Sequence, residues 1–144
     1  MIKENKRVLI VDALNAYLRA YIVDPSISTN GDPIGGLKGF IKILQKLVRT
    51  TKPDNVIVVW DGPNGSKKRK TMDKNYKAGR KPIRLNRAFH NLTDDEELQN
   101  KMWQQSRIIE YMNEMPVIQF MLPEIEADDV IAHITQLSIY DGWQ

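Results

Sequence analysis

Three short runs dominated by apolar residues mark the chain, at positions 7–11, 56–60 and 117–121. Predominantly apolar runs of this length, rich in β-branched residues, are typical of strands that are covered on both faces of a parallel sheet. Asp12 and Asp61 follow the first two runs directly, and Pro123 comes shortly after the third. The pattern predicts three buried strands, two of which end next to a carboxylate.

Three further segments carry apolar residues at helical spacing. The first follows Gly35 and Gly36, the second starts at a Thr93–Glu96 capping box and runs to about residue 114, and the third covers about 126–140. The positions expected to face the core are Leu37, Phe40, Ile41, Leu44, Leu47 and Val48, then Leu98, Met102, Ile109 and Met112, then Ala127, Val130, Ile131, Ile134 and Leu137. The alternation of strands and helices predicts an α/β fold, with a mostly parallel central sheet flanked by helices.

The composition excludes several kinds of protein and site. The 144 residues contain no cysteine, which excludes a disulfide framework, a thiolate zinc site and a cysteine nucleophile. No apolar run approaches the roughly 18 residues of a membrane span. The chain has neither a Walker A sequence nor an evident Ser–His–acid set. We therefore expect one soluble domain, residues 1–144, with a cytoplasmic location and no membrane partner.

The net charge of +3 hides a very uneven distribution. Residues 67–87 hold ten Lys or Arg and a single acid, Asp73, whereas residues 88–144 hold two bases and eleven acids. A basic block of this density indicates binding to a polyanion, most commonly nucleic acid, although a solvated basic loop would have the same composition. Its candidate binding residues include Lys67, Lys68, Arg69, Lys70, Lys81, Arg84 and Arg87.

Acidic residues follow all three predicted strands. Asp12 and Asp61 end the first two, and the acidic segment 124–129 follows the third. Because the carboxyl ends of parallel strands meet at one edge of a sheet, these groups are expected to lie close together, although a lone Asp after a strand more often caps a helix or forms a turn. Clustered carboxylates need a cation, and their oxygens suit Mg²⁺ or Mn²⁺. His90 and His133 are too far apart in sequence to indicate zinc. An acidic metal site beside a nucleic-acid footprint favours metal-assisted phosphodiester hydrolysis.

Four short strings occur in an order that resembles a known family. They are VDALN at 11–15, WDG at 60–62, YKAGR at 76–80 and EADDV at 126–130. Together they resemble the 5′-nuclease family, which comprises flap endonucleases, bacteriophage RNase H-type exonucleases and the 5′→3′ exonuclease domain of bacterial DNA polymerase I. The resemblance covers about residues 8–140.

The resemblance implies a PIN-like nuclease core with a basic helical arch or clamp at about 67–105. It implies a structure-specific 5′→3′ exonuclease or flap endonuclease that acts on DNA or RNA primers in replication and repair, using two Mg²⁺ (or Mn²⁺) ions. The residues that match the family's metal-binding acids are Asp12, Asp61, Glu126, Asp128 and Asp129, of which Asp12, Asp61 and Asp128 are also our catalytic candidates. Lys77 and Arg80 match the pair that contacts the scissile phosphate. Tyr76 matches an aromatic residue near the substrate, where it would stack on a base, and a core-packing role for it is equally open.

The chain departs from the family pattern after the EADDV string. The family continues with a strand that ends in two aspartates and with a helix–three-turn–helix element, whereas this sequence stops at Gln144. It therefore resembles the amino-terminal half of a 5′-nuclease. Its acids are sufficient to hold one of the two ions, so we expect little activity from it alone. The implied partners are nucleic acid with a 5′ single-stranded end, a carboxyl-terminal nuclease half and replication proteins. If the chain is phage-encoded, its location is the host cytoplasm.

Two other functions are compatible with parts of the pattern. A non-catalytic nucleic-acid-binding remnant would keep the basic block and retain the acids without using them. A regulatory domain of the phospho-acceptor kind would also place acids at strand ends, with Asp61 as the acceptor. That class has no use for a basic excursion of this size, so we disfavour it.

Overall fold

The computed structural model describes residues 6–63 and 92–144, which contain three strands and four helices. In chain order they are β1 (Val8–Asp12), α1 (Ala13–Val23), α2 (Gly35–Thr51), β2 (Asn55–Trp60), α3 (Asp94–Asn113), β3 (Ile118–Met121) and α4 (Ala127–Tyr140). The basic block at 67–87 lies outside the described residues. In the described ranges, no helix combines the length and the apolar character that a membrane crossing needs.

The described residues divide into two compact units that are interleaved along the chain. The first, which we call the sheet unit, contains the three strands and α4 and comprises residues 6–14, 47–63 and 116–144. The second, the helical unit, comprises residues 15–46 and 92–115. The single domain predicted for residues 1–144 stays a prediction.

The sheet unit is built on a parallel sheet in the order β1-β2-β3. Val59, Ala127 and Val130 form its buried core, and the partly buried Ile10 and Ile134 pack against them. The apolar runs of the sequence thus become adjacent strands, and α4 packs against β1 and β2. The prediction of a buried strand is wrong for β3, which lies at the edge of the sheet and leaves Ile118, Phe120 and Met121 exposed. The α/β fold with a parallel sheet is confirmed, although Leu137, expected on the core face of α4, is 53% exposed.

The helical unit contains a helix that the apolar pattern did not predict. Helix α1 begins directly after β1, with no turn residue between them, and its buried face consists of Tyr17, Ala20 and Tyr21 rather than of Leu or Ile. This face packs closely on α2, where a Cβ on Gly36 would lie 2.5 Å from the Tyr17 ring and one on Gly39 would lie 2.6 Å from the Ala20 Cβ. Small and aromatic side chains therefore replace the usual aliphatic stripe.

Helix α3 has the predicted start but a different buried face. The capping box is present, with the Thr93 Oγ accepting from the Glu96 N–H and the Thr93 N–H donating to the Glu96 carboxylate. Leu98 and Met102, however, are exposed, so the predicted apolar stripe is wrong at these positions. The buried residues of α3 are Glu97, Gln104, Ile108 and Met112.

Polar side chains face inward on α3 because they meet hydrogen-bonding partners in the same unit. The Tyr21 hydroxyl donates to the Glu97 Oε2 at 2.6 Å, and the Tyr17 hydroxyl donates to the Lys101 carbonyl at 2.7 Å. The Gln104 Oε1 accepts from the Leu37 N–H at 2.8 Å, near the start of α2. These hydrogen bonds determine which residues of α3 are buried, and the spacing of apolar residues does not predict them.

We expect Tyr21→Phe to lower the free energy of unfolding by about 1–2 kcal/mol, because it removes the donor to a buried carboxylate. Burial, and then the hydrogen bond to Glu97, raises the pKa of Tyr21 well above its ordinary value. The neutral hydroxyl is thus the form that the fold requires at neutral pH. Chemical denaturation measures the loss, with Tyr111→Phe, a half-exposed position on α3, as the matched control. Equal losses in the two variants would contradict the role of this hydrogen bond.

Candidate metal site at the sheet edge

The candidate acids lie where the three parallel strands end. Asp12 is the last residue of β1 and is in register with Val59, two residues before Asp61 on the neighbouring strand. Asp61 follows β2 directly, and Glu126 occupies the N-cap position of α4 after the short loop that leaves β3. Since the strands run in one direction, their carboxyl ends and these acids share one edge of the sheet unit. Asp128 and Asp129 stand in the first turn of α4.

Asp61 connects β2 to the start of α4. Its Oδ1 accepts a hydrogen bond from the Ala127 N–H at 2.6 Å, which satisfies one of the amides that a helix start leaves without an intrahelical partner. Glu126 occupies the N-cap position but makes no capping hydrogen bond with its side chain. The cap of α4 is therefore supplied by a residue 66 positions earlier in the sequence.

Backbone contacts hold the same two segments together. The Gly62 N–H donates to the Ile125 carbonyl at 3.1 Å, and the Glu124 N–H donates to the Pro63 carbonyl at 2.9 Å. Gly62 passes so close to the second segment that a Cβ on it would lie 1.6 Å from the Leu122 carbonyl oxygen. Glu124 has a φ of 63°, in the left-handed region. The loop that leads to α4 is thus fixed against the end of β2 in a conformation that requires glycine at position 62.

The five acids differ in their access to solvent. The side chain of Glu126 is buried, Asp12 and Asp61 are half-buried, and Asp128 and Asp129 are exposed. Carboxylate oxygens are the donors that hard divalent cations prefer, so the chemistry of the set fits Mg²⁺ or Mn²⁺. Among residues 6–63 and 92–144, however, no three Asp, Glu or His side chains form a group that could hold a metal ion. The acids share an edge without forming a ready-made ligand set.

The remaining candidate residues fall outside the described part of the chain. These are Lys67, Lys68, Arg69, Lys70, Tyr76, Lys77, Arg80, Lys81, Arg84 and Arg87. Of the predicted arch at about 67–105, only residues 92–105 are described, and most of them belong to α3. The roles of these basic and aromatic residues stay predictions.

Sequence reasoning missed two structural features of this edge. It allowed that an aspartate after a strand can cap a helix, but it did not identify α4, far along the chain, as the helix that Asp61 caps. It also did not foresee that Gly62 allows a close approach to the loop after β3. The Asp-Gly pair after a strand signals a turn, but nothing local signals which distant segment comes to lie against it.

The family described as the 5′-3′ exonuclease, N-terminal resolvase-like domain, has a sequence model that matches residues 7–142. Among curated relatives, the DNA polymerase I of Caldicellulosiruptor bescii is 31% identical over 129 residues, which are 89% of this chain and 13% of the polymerase. These findings confirm the resemblance drawn from the four strings.

Two solved structures of the bacteriophage T5 D15 protein have a similar fold. One, co-crystallized with metal ions, aligns with a TM-score of 0.64 and 18% identity and covers 92% of this chain. The other, a flap endonuclease pseudo-enzyme–product complex with DNA and metal ions, aligns with a TM-score of 0.61 and 16% identity and covers 94% of this chain. At these identities the likeness shows the fold alone. The chain spans 45% of each T5 protein chain, so it corresponds to less than half of that nuclease.

Proposed function

Because this chain belongs to the 5′-3′ exonuclease family, whose N-terminal, resolvase-like domain it matches from residue 7 to residue 142, we propose that it is the catalytic amino-terminal part of a structure-specific 5′→3′ exonuclease or flap endonuclease. The proposed substrates are DNA or RNA primers with a 5′ single-stranded end, at replication and repair intermediates. The proposed reaction is hydrolysis of a phosphodiester bond with the help of two divalent cations.

The observation that carries this proposal is the sharing of one sheet edge by three acid-bearing segments. Asp12, Asp61 and the start of α4 come from separate parts of the sequence, and parallel pairing brings them to the same side of the sheet unit. An edge of this kind is where ligands bind in open α/β sheets. Capping of α4 explains Asp61, but it does not explain why Asp12 and Glu126 add further like charges at the same edge, where they repel one another unless a cation is present.

We propose that Asp12, Asp61, Glu126, Asp128 and Asp129 hold the first Mg²⁺ or Mn²⁺. Such ions, when bound, activate water and neutralise the charge that develops on a phosphodiester. Without a cation the like charges of these carboxylates repel one another, so a bound ion would be what draws the exposed Asp128 and Asp129 side chains towards the other acids. The Asp61 Oδ1 stays on the Ala127 N–H, which leaves Oδ2 as its ligand atom.

The basic block would bind and orient the nucleic acid. Lys77 and Arg80 are proposed to contact the scissile phosphate, and the other bases of 67–87 to contact neighbouring phosphates. Tyr76 would stack on a base near the 5′ end. These residues would bind and orient the nucleic acid, whereas the carboxylates would hold the metal ions.

A second candidate function is a nucleic-acid-binding module that does not cleave. It is favoured by one observation, namely that the described acids form no three-ligand group. In this case the basic block would still bind nucleic acid, and the loss of any single carboxylate would leave that binding unchanged.

Cleavage of a 5′-labelled flap substrate separates the two functions. The chain is assayed with Mg²⁺, then with EDTA, then with Mg²⁺ and a carboxyl-terminal half taken from a related nuclease, the partner that the family resemblance implies. We expect slow Mg²⁺-dependent cleavage that the added half accelerates. If the chain binds the flap but no cleavage appears under any of these conditions, the non-cleaving module is the correct function.

A further inference from the structure

The segment that follows α4 returns to the edge of β1 that faces away from β2, which we call the outer edge of β1. The Gln144 N–H donates to the Lys6 carbonyl at 2.8 Å, and the Gln144 carbonyl accepts from the Val8 N–H at 2.8 Å. The Lys6 Nζ also lies 5.7 Å from the centre of the Trp143 ring, within the range of a cation–π contact. Gln144 is thus bonded to both residues that flank Arg7.

These two hydrogen bonds have the pattern of a parallel strand pair. In a parallel ladder, a residue bonds through its N–H and its carbonyl to the two residues on either side of its partner. Asn55 is held on the opposite edge of β1 in the same way, since its N–H donates to the Arg7 carbonyl at 3.2 Å and it is in register with Val8. Gln144 is therefore in register with Arg7 and runs in the direction of β1.

The outer edge of β1 continues past Gln144 towards the acids. Successive residues of a strand direct their backbone groups to opposite edges, so Val8 and Ile10 face away from β2 while Leu9 and Val11 face it. Gln144 takes the Val8 N–H. Among residues 6–63 and 92–144, no strand of the sheet lies beyond β1 to pair with the backbone of Ile10. An edge of this kind can pair with a further strand.

Helix α4 also extends over this edge. It packs against β1 and β2, with Val130 in the core and Ile134 against it. Leu137 continues the same stripe by one turn but is 53% exposed. Since the chain passes from this end of α4 to the outer edge of β1 within a few residues, a strand at that edge would lie beneath Leu137 and cover it.

We propose that the outer edge of β1 binds a parallel strand from the carboxyl-terminal part of the nuclease. The matching family model describes an N-terminal domain, and the chain spans 45% of each T5 protein chain, so a nuclease of this fold has a further part to supply the strand. The identity of this partner rests on the proposed function.

The register at Gln144 fixes where the strand would lie. From the level of Arg7 to that of Asp12 it would extend about 16–17 Å, and its carboxyl end would reach the edge that carries the candidate acids. Its side chains would be apolar on the face that meets α4, because that face is covered. The docking surface therefore places the partner next to the proposed metal site.

Residue-resolved amide hydrogen exchange tests the proposal in EDTA, where no cleavage occurs. The parent chain is measured alone and with the carboxyl-terminal half of a related nuclease. We expect the half to slow exchange of the Ile10 amide by at least about tenfold, because this N–H gains a partner. The amides of Leu9 and Val11 already face β2 and serve as internal controls that change much less.

A pair of variants at one position tests the same contact through affinity. Ile10→Pro removes the outward N–H, a change that an edge strand tolerates on its unpaired side, and is expected to weaken binding of the half by roughly 3- to 10-fold. Ile10→Val keeps the N–H, has a side chain of about the same size as proline and is expected to bind like the parent. Circular dichroism checks folding, and if Ile10→Pro does not fold, the exchange of the parent decides.

Several results would overturn the proposal. They are an absence of binding by the half, new protection confined to β3, an Ile10 amide that is already protected in the chain alone, and equal affinities for a folded Ile10→Pro and for Ile10→Val. Protection in the chain alone would indicate a second copy or another segment at this edge. Failure of flap cleavage with Mg²⁺ would instead count against the proposed function and leave a docking result obtained in EDTA standing.

Discussion

Replacing Asp128 with asparagine is expected to weaken Mn²⁺ binding and any Mg²⁺-dependent cleavage by more than about 100-fold, since even groups that only support a metal ligand contribute 10–100-fold. The same loss is expected for Asp12→Asn. Each change removes a ligand charge and keeps the size of the side chain. Asp61 is a less informative position, because its carboxylate also caps α4 and an effect there would mix binding with folding.

Titration of Mn²⁺ against the folded chain measures this effect without relying on activity. Asp141→Asn is the matched control, because it makes the same chemical change at the exposed far end of the helix that carries Asp128. The control is expected to bind Mn²⁺ like the parent chain. If Asp12→Asn and Asp128→Asn also bind Mn²⁺ like the parent, the metal-site assignment is wrong.

The sheet could be predicted from the sequence because its signal is local. An unbroken apolar run such as residues 56–60 is incompatible with an exposed strand, and proline or aspartate marks where each strand stops. The signal for the start of α3 is equally local, since the side chains of Thr93 and Glu96 each accept a hydrogen bond from the other's backbone N–H within one turn. The common edge for Asp12 and Asp61 followed from parallel pairing alone, once the strands were identified.

The helical unit was harder to predict because its buried faces depend on partners that are distant in sequence. Glu97 is buried because Tyr21, 76 residues earlier, donates a hydrogen bond to it. Gln104 is buried because it accepts from the start of α2. A prediction from apolar spacing alone assigns Glu97 and Gln104 to the surface and Leu98 to the core. The predicted buried face of α3 is therefore wrong at these positions. The same limit explains Asp61, whose bond to Ala127 depends on the path of the loop after β3.

The second large effect, a loss of stability, is expected for Gly62→Ala, because Gly62 packs against the loop after β3. A Cβ at this position would lie 1.6 Å from the Leu122 carbonyl oxygen and 3.1 Å from the Pro123 nitrogen, both of them backbone atoms that cannot rotate away. The loop 122–126 must therefore move as a whole, which breaks the Gly62–Ile125 hydrogen bond and shifts the start of α4. We expect the free energy of unfolding to fall by about 3 kcal/mol or more.

The displacement should also reach the proposed metal site, because Asp128 and Asp129 are carried by the helix whose start moves. Gly62→Ala is accordingly expected to weaken Mn²⁺ binding although it alters no ligand. Gly31→Ala is the control, since a Cβ there meets nothing within 4 Å and only the φ of 87° is strained, a cost of about 1–2 kcal/mol. This control should lose some stability and keep its Mn²⁺ affinity. A Gly62→Ala variant that matched it in both measurements would show that the loop after β3 does not position α4.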